Sequence, residues 1–136
     1  MTRLMALDPG TRRIGVAVSN SGRSMAFPRE CILREGDWVT ILKLLVEDEE
    51  VHEIVVGKPV ALSGRETSST VMAAEFLEEL RIAMPDIEFV VVDERLTTAS
   101  AAKQMASAGK SHRAQRRDID SAAAVVLLQG VLDAQA

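Results

Sequence analysis

The spacing of apolar positions changes several times along the chain, and each change marks an element. Leu4-Met5-Ala6-Leu7 and Ile14-Gly15-Val16-Ala17-Val18 are short apolar runs separated by the polar stretch Asp8-Pro9-Gly10-Thr11-Arg12-Arg13. Runs of this length bounded by Pro and Gly predict buried strands. Pro9-Gly10 suits the turn between them, because Pro presets φ and Gly accepts a positive φ. The pattern predicts an antiparallel hairpin at the middle of a sheet, with Asp8 at its bend. A third strand over Glu30-Cys31-Ile32-Leu33 follows Pro28, whose missing N–H suits an edge or a bulge.

The period then becomes helical. Gly36-Asp37 opens a helix on which Trp38, Ile41, Leu42, Leu45 and Val46 recur at 3.6-residue spacing. Its acidic end, Glu47-Asp48-Glu49-Glu50, places like charges at the negative pole of the helix, which predicts a solvated, frayed terminus. Residues 53–57 form a β-branched run ending in Gly57, and the turn-rich stretch 58–69 follows it. A helix is expected over 69–84, with Val71, Ala74 and Leu77 on one row and Met72, Phe76 and Leu80 on the next; Pro85 ends it. The apolar strand 87–92 runs directly into Asp93-Glu94-Arg95. Thr97-Thr98 can cap a short helix over 99–105, residues 106–117 read as a basic loop, and 118–132 reads as a largely buried helix. The order β-β-β-α-β-α-β-α-α predicts an α/β fold, a mixed five-stranded sheet flanked by helices on both faces. One domain over residues 1–136 accommodates it.

Composition narrows the class. The formal net charge of −4 opposes a protein that coats nucleic acid by bulk attraction. It leaves room for a local basic patch, and Lys110, Arg113, Arg116 and Arg117 supply one. The single cysteine, Cys31, cannot form an internal disulfide, in keeping with a reducing compartment. No secretory leader pattern opens the sequence, and no apolar run approaches the roughly 18 residues that span a bilayer. The expectation is a soluble, cytoplasmic protein with no membrane association.

Three carboxylates fall where elements end: Asp8 after the first strand, Glu94 after the fifth, and Asp118 or Asp120 at the start of the last helix. Open α/β sheets bind ligands beyond the carboxyl ends of their strands. If strands one and five lie close together, Asp8 and Glu94 converge there. Asp118 and Asp120 are about 200° apart on a helix, so only one of them faces such a site. Asp120 shares a face with Ala123, Ala124, Leu127 and Val131 and is the site candidate; Asp118 suits a cap. Carboxylate oxygens favour Mg²⁺ or Mn²⁺. Two such ions about 4 Å apart can activate water and stabilise the leaving oxygen of a phosphodiester. Nothing has zinc-ligand spacing. Arg13 and Arg95, near the two strand-end acids, can contact phosphates or balance the carboxylates.

The motifs Asp8-Pro9-Gly10-Thr11-Arg12-Arg13-Ile14-Gly15-Val16-Ala17, Val56-Gly57-Lys58-Pro59 with Gly64, Asp93-Glu94-Arg95-Leu96-Thr97-Thr98 and Ile119-Asp120-Ser121-Ala122-Ala123-Ala124 cover nearly the whole chain in order. Together they resemble the YqgF/RuvX family of RNase H-like nucleases, associated with pre-16S rRNA and earlier with Holliday junctions. The resemblance implies an RNase H-like fold and metal-dependent phosphodiester hydrolysis. It also implies Asp8, Glu94 and Asp120 as the catalytic and metal-binding acids, and 5′ trimming of pre-16S rRNA in ribosome biogenesis, with ribosomal particles as possible partners. The chain departs from the family pattern at Asn20, where an acid is common, and at Lys58, where an apolar residue is usual.

Three other functions compete. A DNA nuclease acting on branched junctions would use the same acids but is best served by a symmetric dimer. A non-catalytic RNA-binding ribosome or transcription factor would keep the fold without cleavage. Asp8-x-Gly10-Thr11 also resembles the first phosphate loop of actin-like ATPases, which need two lobes where this chain has length for one.

Overall fold

A computed structural model describes residues 2–58, 68–93 and 121–135 of the chain. Its elements in order are β1 (Arg3–Pro9), β2 (Arg13–Ser19), β3 (Ala26–Leu33), α1 (Trp38–Asp48), β4 (Val51–Lys58), α2 (Ser68–Ala83), β5 (Glu88–Asp93) and α3 (Ala122–Gln135). The five strands form one sheet in the order β3-β2-β1-β4-β5. β1 pairs antiparallel with β2 and β2 with β3, whereas β4 lies parallel to β1 and β5 parallel to β4. This is the mixed sheet that the pattern predicts. The short helix expected over 99–105 and the basic loop 106–117 lie outside the described residues.

Alternation along the strands sorts the apolar side chains into two cores. Met5, Leu7, Ile14, Val16, Val18, Ile54 and Val56 point to one face and pack against Trp38, Leu42 and Val46 of α1 and Phe76 and Leu80 of α2. Leu4, Ala6, Ala17 and Val55 point to the other face and pack against Ala123, Ala124, Leu127, Leu128 and Leu132 of α3. Alanines and leucines make up nearly all of this second interface, without the aromatic residues of the first. The sequence pattern errs in detail on the helices. Ile41 is 52% exposed, because α1 buries only the stripe Trp38, Leu42 and Val46. On α2 the row containing Phe76 and Leu80 is core, while Val71 is 46% exposed.

β3 is the edge strand, as Pro28 suggests, and it carries a bulge. The register jumps from Ile14↔Ile32 to Val16↔Arg29, so Gly15 on β2 faces both Glu30 and Cys31 on β3. Asn20 builds the turn leading into β3. Its Oδ1 accepts from the backbone N–H groups of Ser24 at 2.8 Å and Met25 at 3.0 Å, which gives the departure from the family pattern a structural use.

The acidic end of α1 is a correction. Asp37 caps the start of the helix by accepting from the Thr40 backbone N–H, as the sequence suggests. At the other end, however, Glu49 is an anchor and not a frayed residue. Its carboxylate accepts from Arg29 of β3 at 2.7 Å and from Arg3 of β1, with only 12% of the side chain exposed. The helix dipole disfavours an acid there by a few tenths of a kcal/mol to about 1 kcal/mol. Two charge-assisted hydrogen bonds outweigh that cost.

The bond from Arg29 holds the Glu49 carboxyl below the usual glutamate range; burial opposes it, and Arg3 adds to it. A depressed folded-state pKa contributes stability that is complete above the unfolded value, near 4.5, and is lost as pH falls through the folded value. Glu49→Gln is therefore expected to cost about 1–2 kcal/mol at neutral pH. The difference from the parent should shrink as acid unfolding is followed below pH 4.5 by circular dichroism.

Candidate nuclease site

Asp8 lies on the central strand, in register with Gly15 of β2 and one residue beyond the pair Leu7↔Val56, level with Gly57 of β4. It continues the alternation of Leu4 and Ala6, so its side chain belongs to the face covered by α3. Gly15 and Gly57 share this face with Ala17 and Val55. The carboxylate is thus bordered on both neighbouring strands by residues without side chains. It is 5% exposed. An ionised group so placed is costly unless cations or donors compensate it, which separates Asp8 from an ordinary turn aspartate.

The bend itself differs from the expectation. Pro9 is still in β1, paired with Ile14, and the turn is made by residues 10–12. Among the described residues the positive-φ glycine is Gly36. Gly10 answers to a different constraint: its N–H donates to the Arg13 carbonyl at 2.8 Å, and a Cβ added there would lie 2.7 Å from that same oxygen. Close approach of two backbones, not an unusual φ, requires glycine here.

Arg13 begins β2 and is exposed. It lies two residues from Gly15, on the Asp8 face, as a diagonal cross-strand neighbour of Asp8 at roughly 7 Å between backbones. Lys58, also exposed, ends β4 in register with Asp93, the last residue of β5. Because β1, β4 and β5 are parallel, their carboxyl ends lie along one edge of the sheet. β4 separates β1 from β5, so Asp8 and the end of β5 are not on adjacent strands. On the Asp8 face β4 presents only Gly57 at this level, in register with Val92 of β5.

The start of α3 is tied to the same neighbourhood. Ser121, fully buried, accepts from the Val16 N–H at 3.2 Å and donates to the Arg29 carbonyl at 2.7 Å. Its hydroxyl thus bridges β2 and β3 where the bulge disturbs their ladder. Farther along α3, Gln129 accepts from the Ala26 N–H at 2.9 Å and donates to the Ser24 carbonyl at 3.0 Å. Two polar clamps therefore set α3 over the sheet, and the first sits immediately after Asp120. Sequence reasoning did not single out Ser121. A lone Ser at a helix start reads as a cap, and only the bulge reveals its partners.

Of the predicted site residues, the structure describes Asp8 and Arg13 and places them on one face. Glu94, Asp120 and its alternative Asp118, together with Arg95, Lys110, Arg113, Arg116 and Arg117, lie outside the described residues. Among the described residues no three His, Cys, Asp or Glu side chains come together as a metal-binding group. No described helix is long and apolar enough to cross a membrane.

Residues 2–134 match the profile of a family described as RuvX, Holliday junction resolvase. A protein of Corynebacterium jeikeium is 42% identical over 96% of this chain and 86% of its own length. One from Leifsonia xyli is 41% identical over 96% and 85%, respectively. Both are described as candidate pre-16S rRNA nucleases. Among solved structures, Thermus thermophilus RuvC bound to a Holliday junction superposes with a TM-score of 0.58 over 99% of this chain and 96% of RuvC, at 12% identity. The fowlpox virus resolvase in complex with junction DNA gives 0.52 over 98% and 99%, at 8% identity. These structural likenesses show the fold alone, an α/β RNase H-like one.

Two substitutions test the scaffold of the site. Gly10→Ala must displace the Arg13 carbonyl, a backbone atom, and is expected to cost about 1–3 kcal/mol in denaturant unfolding. Ser121→Ala leaves the Val16 N–H and the Arg29 carbonyl without the hydroxyl and should cost a similar amount. Amide exchange at Val16 should also quicken in that variant more than it does in Gly10→Ala.

Proposed function

This chain belongs to the RuvX family and is a nuclease, and from that premise we propose that it hydrolyses phosphodiester bonds with Asp8, Glu94 and Asp120 as its catalytic acids. The observation that carries the reading is Asp8 itself: a carboxylate 5% exposed, at the carboxyl end of the central strand, between two glycines. The edge it occupies is where open α/β sheets receive ligands. β5 ends at Asp93, directly before Glu94, and the described part of α3 is anchored by Ser121, directly after Asp120.

The donor chemistry at Asp8 fits a hard divalent cation, Mg²⁺ or Mn²⁺. On the two neighbouring strands the residues level with it are glycines, Gly15 and Gly57. Asp8 would hold the metal together with Glu94 and Asp120, as one or two ions. When bound, such ions supply Lewis-acid activation of water and neutralise charge on the leaving oxygen. The protein's own part would be to hold the acids in place and to hold the substrate phosphates with Arg13, Arg95 and the basic run Lys110, Arg113, Arg116 and Arg117.

The substrate we favour is the 5′ region of pre-16S rRNA, in the cytoplasm and in contact with ribosomal particles, because relatives about 40% identical over nearly their whole length carry that description. The family description favours a branched DNA junction as the second reading.

Cleavage assays on 5′-extended 16S precursor, single-stranded RNA and a four-way DNA junction, each with Mg²⁺, Mn²⁺ or chelator, separate these readings. Chelator is expected to abolish cleavage. Asp8→Asn, Glu94→Gln and Asp120→Asn should each lower the rate by about 10²-fold or more while binding persists. Cleavage that survives in all three variants would sink the proposed site. Preference for the junction over the precursor would favour the second reading.

A further inference from the structure

The first residue beyond β3 makes a cluster outside the Asp8 face. The guanidinium of Arg34 lies 5.2 Å from the centroid of Trp38 and 5.1 Å from that of Phe76, two rings stacked at 4.9 Å with 23° between their planes. Trp38 is 7% exposed and Phe76 fully buried, so the rings form a rigid platform rooted in the α1–α2 core. On it the guanidinium is fixed by cation–π attraction. Its Nη1 is buried and has no hydrogen-bond acceptor. Buried guanidinium donors are nearly always paired, usually with a carboxylate. This one is held on an aromatic surface, no described residue forms an ion pair with it, and the residue is only partly buried.

Its position gives that arrangement a use. The Arg34 N–H donates to the Arg12 carbonyl at 2.8 Å, which ties the residue after β3 to the turn of the Asp8 hairpin. Two strand spacings, roughly 10 Å, separate β3 from β1. Arg34 therefore lies at the same carboxyl edge as Asp8 but on the opposite face of the sheet. Arg12 and Arg13 are exposed on the turn between them. Positive charges run from the Asp8 face, over the edge, to the Trp38–Phe76 platform.

We propose that Arg34 contacts a backbone phosphate of the substrate, about one strand-pair width from the scissile group, so that the nucleic acid crosses the sheet edge over the β1–β2 turn. Arg12 lies along the same path. The aromatic platform preorganises the guanidinium, and a phosphate supplies the anion that none of the described residues provides. This contact carries no sequence information; it sets the register of the strand against Asp8. The inference rests on the nuclease reading and adds a residue that none of the sequence motifs contains.

The test is equilibrium binding of a fluorescein-labelled single-stranded RNA, with chelator present, across a salt series. Arg34→Gln is expected to weaken binding about 3- to 10-fold and to flatten the dependence of log K on log salt by about 0.7, the increment for one phosphate contact on a single strand. Arg34→Lys keeps the charge and should keep the wild-type slope. A packing role alone would lower the melting temperature of both variants and leave both slopes unchanged. Trp38, the chain's single tryptophan, gives a readout that needs no variant. Its emission should change saturably with RNA in the wild type, in step with anisotropy. An unchanged slope in Arg34→Gln, an equal loss of slope in Arg34→Lys, or a silent Trp38 during binding would each overturn the proposal. Wild-type protein that binds no nucleic acid would overturn the nuclease reading as well, whereas binding and cleavage with an unaltered slope would overturn the role of Arg34 alone.

Discussion

Removing a carboxylate from water is among the more expensive things a small core can do, and this fold does it at the centre of its sheet. Asp8 sits one alternation beyond Leu4 and Ala6, on the central strand of the five and on the face that α3 covers. The uncompensated cost of such a group is several kcal/mol, comparable with much of the net stability of a domain. Many local choices are intelligible as accommodations to it. Gly15 and Gly57 flank it without side chains, Gly10 lets the hairpin close tightly beyond it, and Ser121 fixes the helix that roofs it.

The two faces of the sheet divide the work. On the α1–α2 face the core is built from large residues, with Phe76 and Trp38 stacked among Leu, Ile and Val, and it supplies most of the apolar burial. On the α3 face the contacts are Ala, Val and Leu, with hydrogen bonds from Ser121 and Gln129 to the β2–β3 hairpin. Ala and Leu contacts alone leave the helix placement loosely specified, and the polar clamps fix it. Such fixing suits the proposed site, whose reacting groups would have to be held to a fraction of an ångström.

Charge follows the same division. Three basic residues stand exposed at the carboxyl edge: Arg13 on the Asp8 face, Arg12 on the turn beside it, and Lys58 on the opposite face with Val56. At the α1 end, Arg29 and Arg3 are spent on Glu49, where they pin the helix to β1 and β3. A net negative chain therefore presents cations where a phosphate backbone would approach, while its other acids keep the remaining surface unattractive to nucleic acid.

Much of this was legible in the sequence. Alternating and helical periods located the strands and helices, since burial of one face imposes those periods on any chain. The motifs around Asp8, Glu94 and Asp120 pointed to a family and to acids at element ends, because such chemistry needs particular residue types at particular places. What the sequence could not show was which partners meet across long separations. Glu49 read as part of a frayed helix end, and Ser121 and Arg34 drew no role of their own. Their roles come from a bulge that brings Arg29 to the hydroxyl of Ser121, and from packing that stacks Phe76 on Trp38 beneath a guanidinium. Local pattern determined the elements and the position of Asp8 at a strand end. The pattern also put that hairpin at the middle of the sheet; only the tertiary structure decided that the Asp8 end is dry and bordered by glycines from two other strands, because burial belongs to the assembled layers and not to any one stretch of chain.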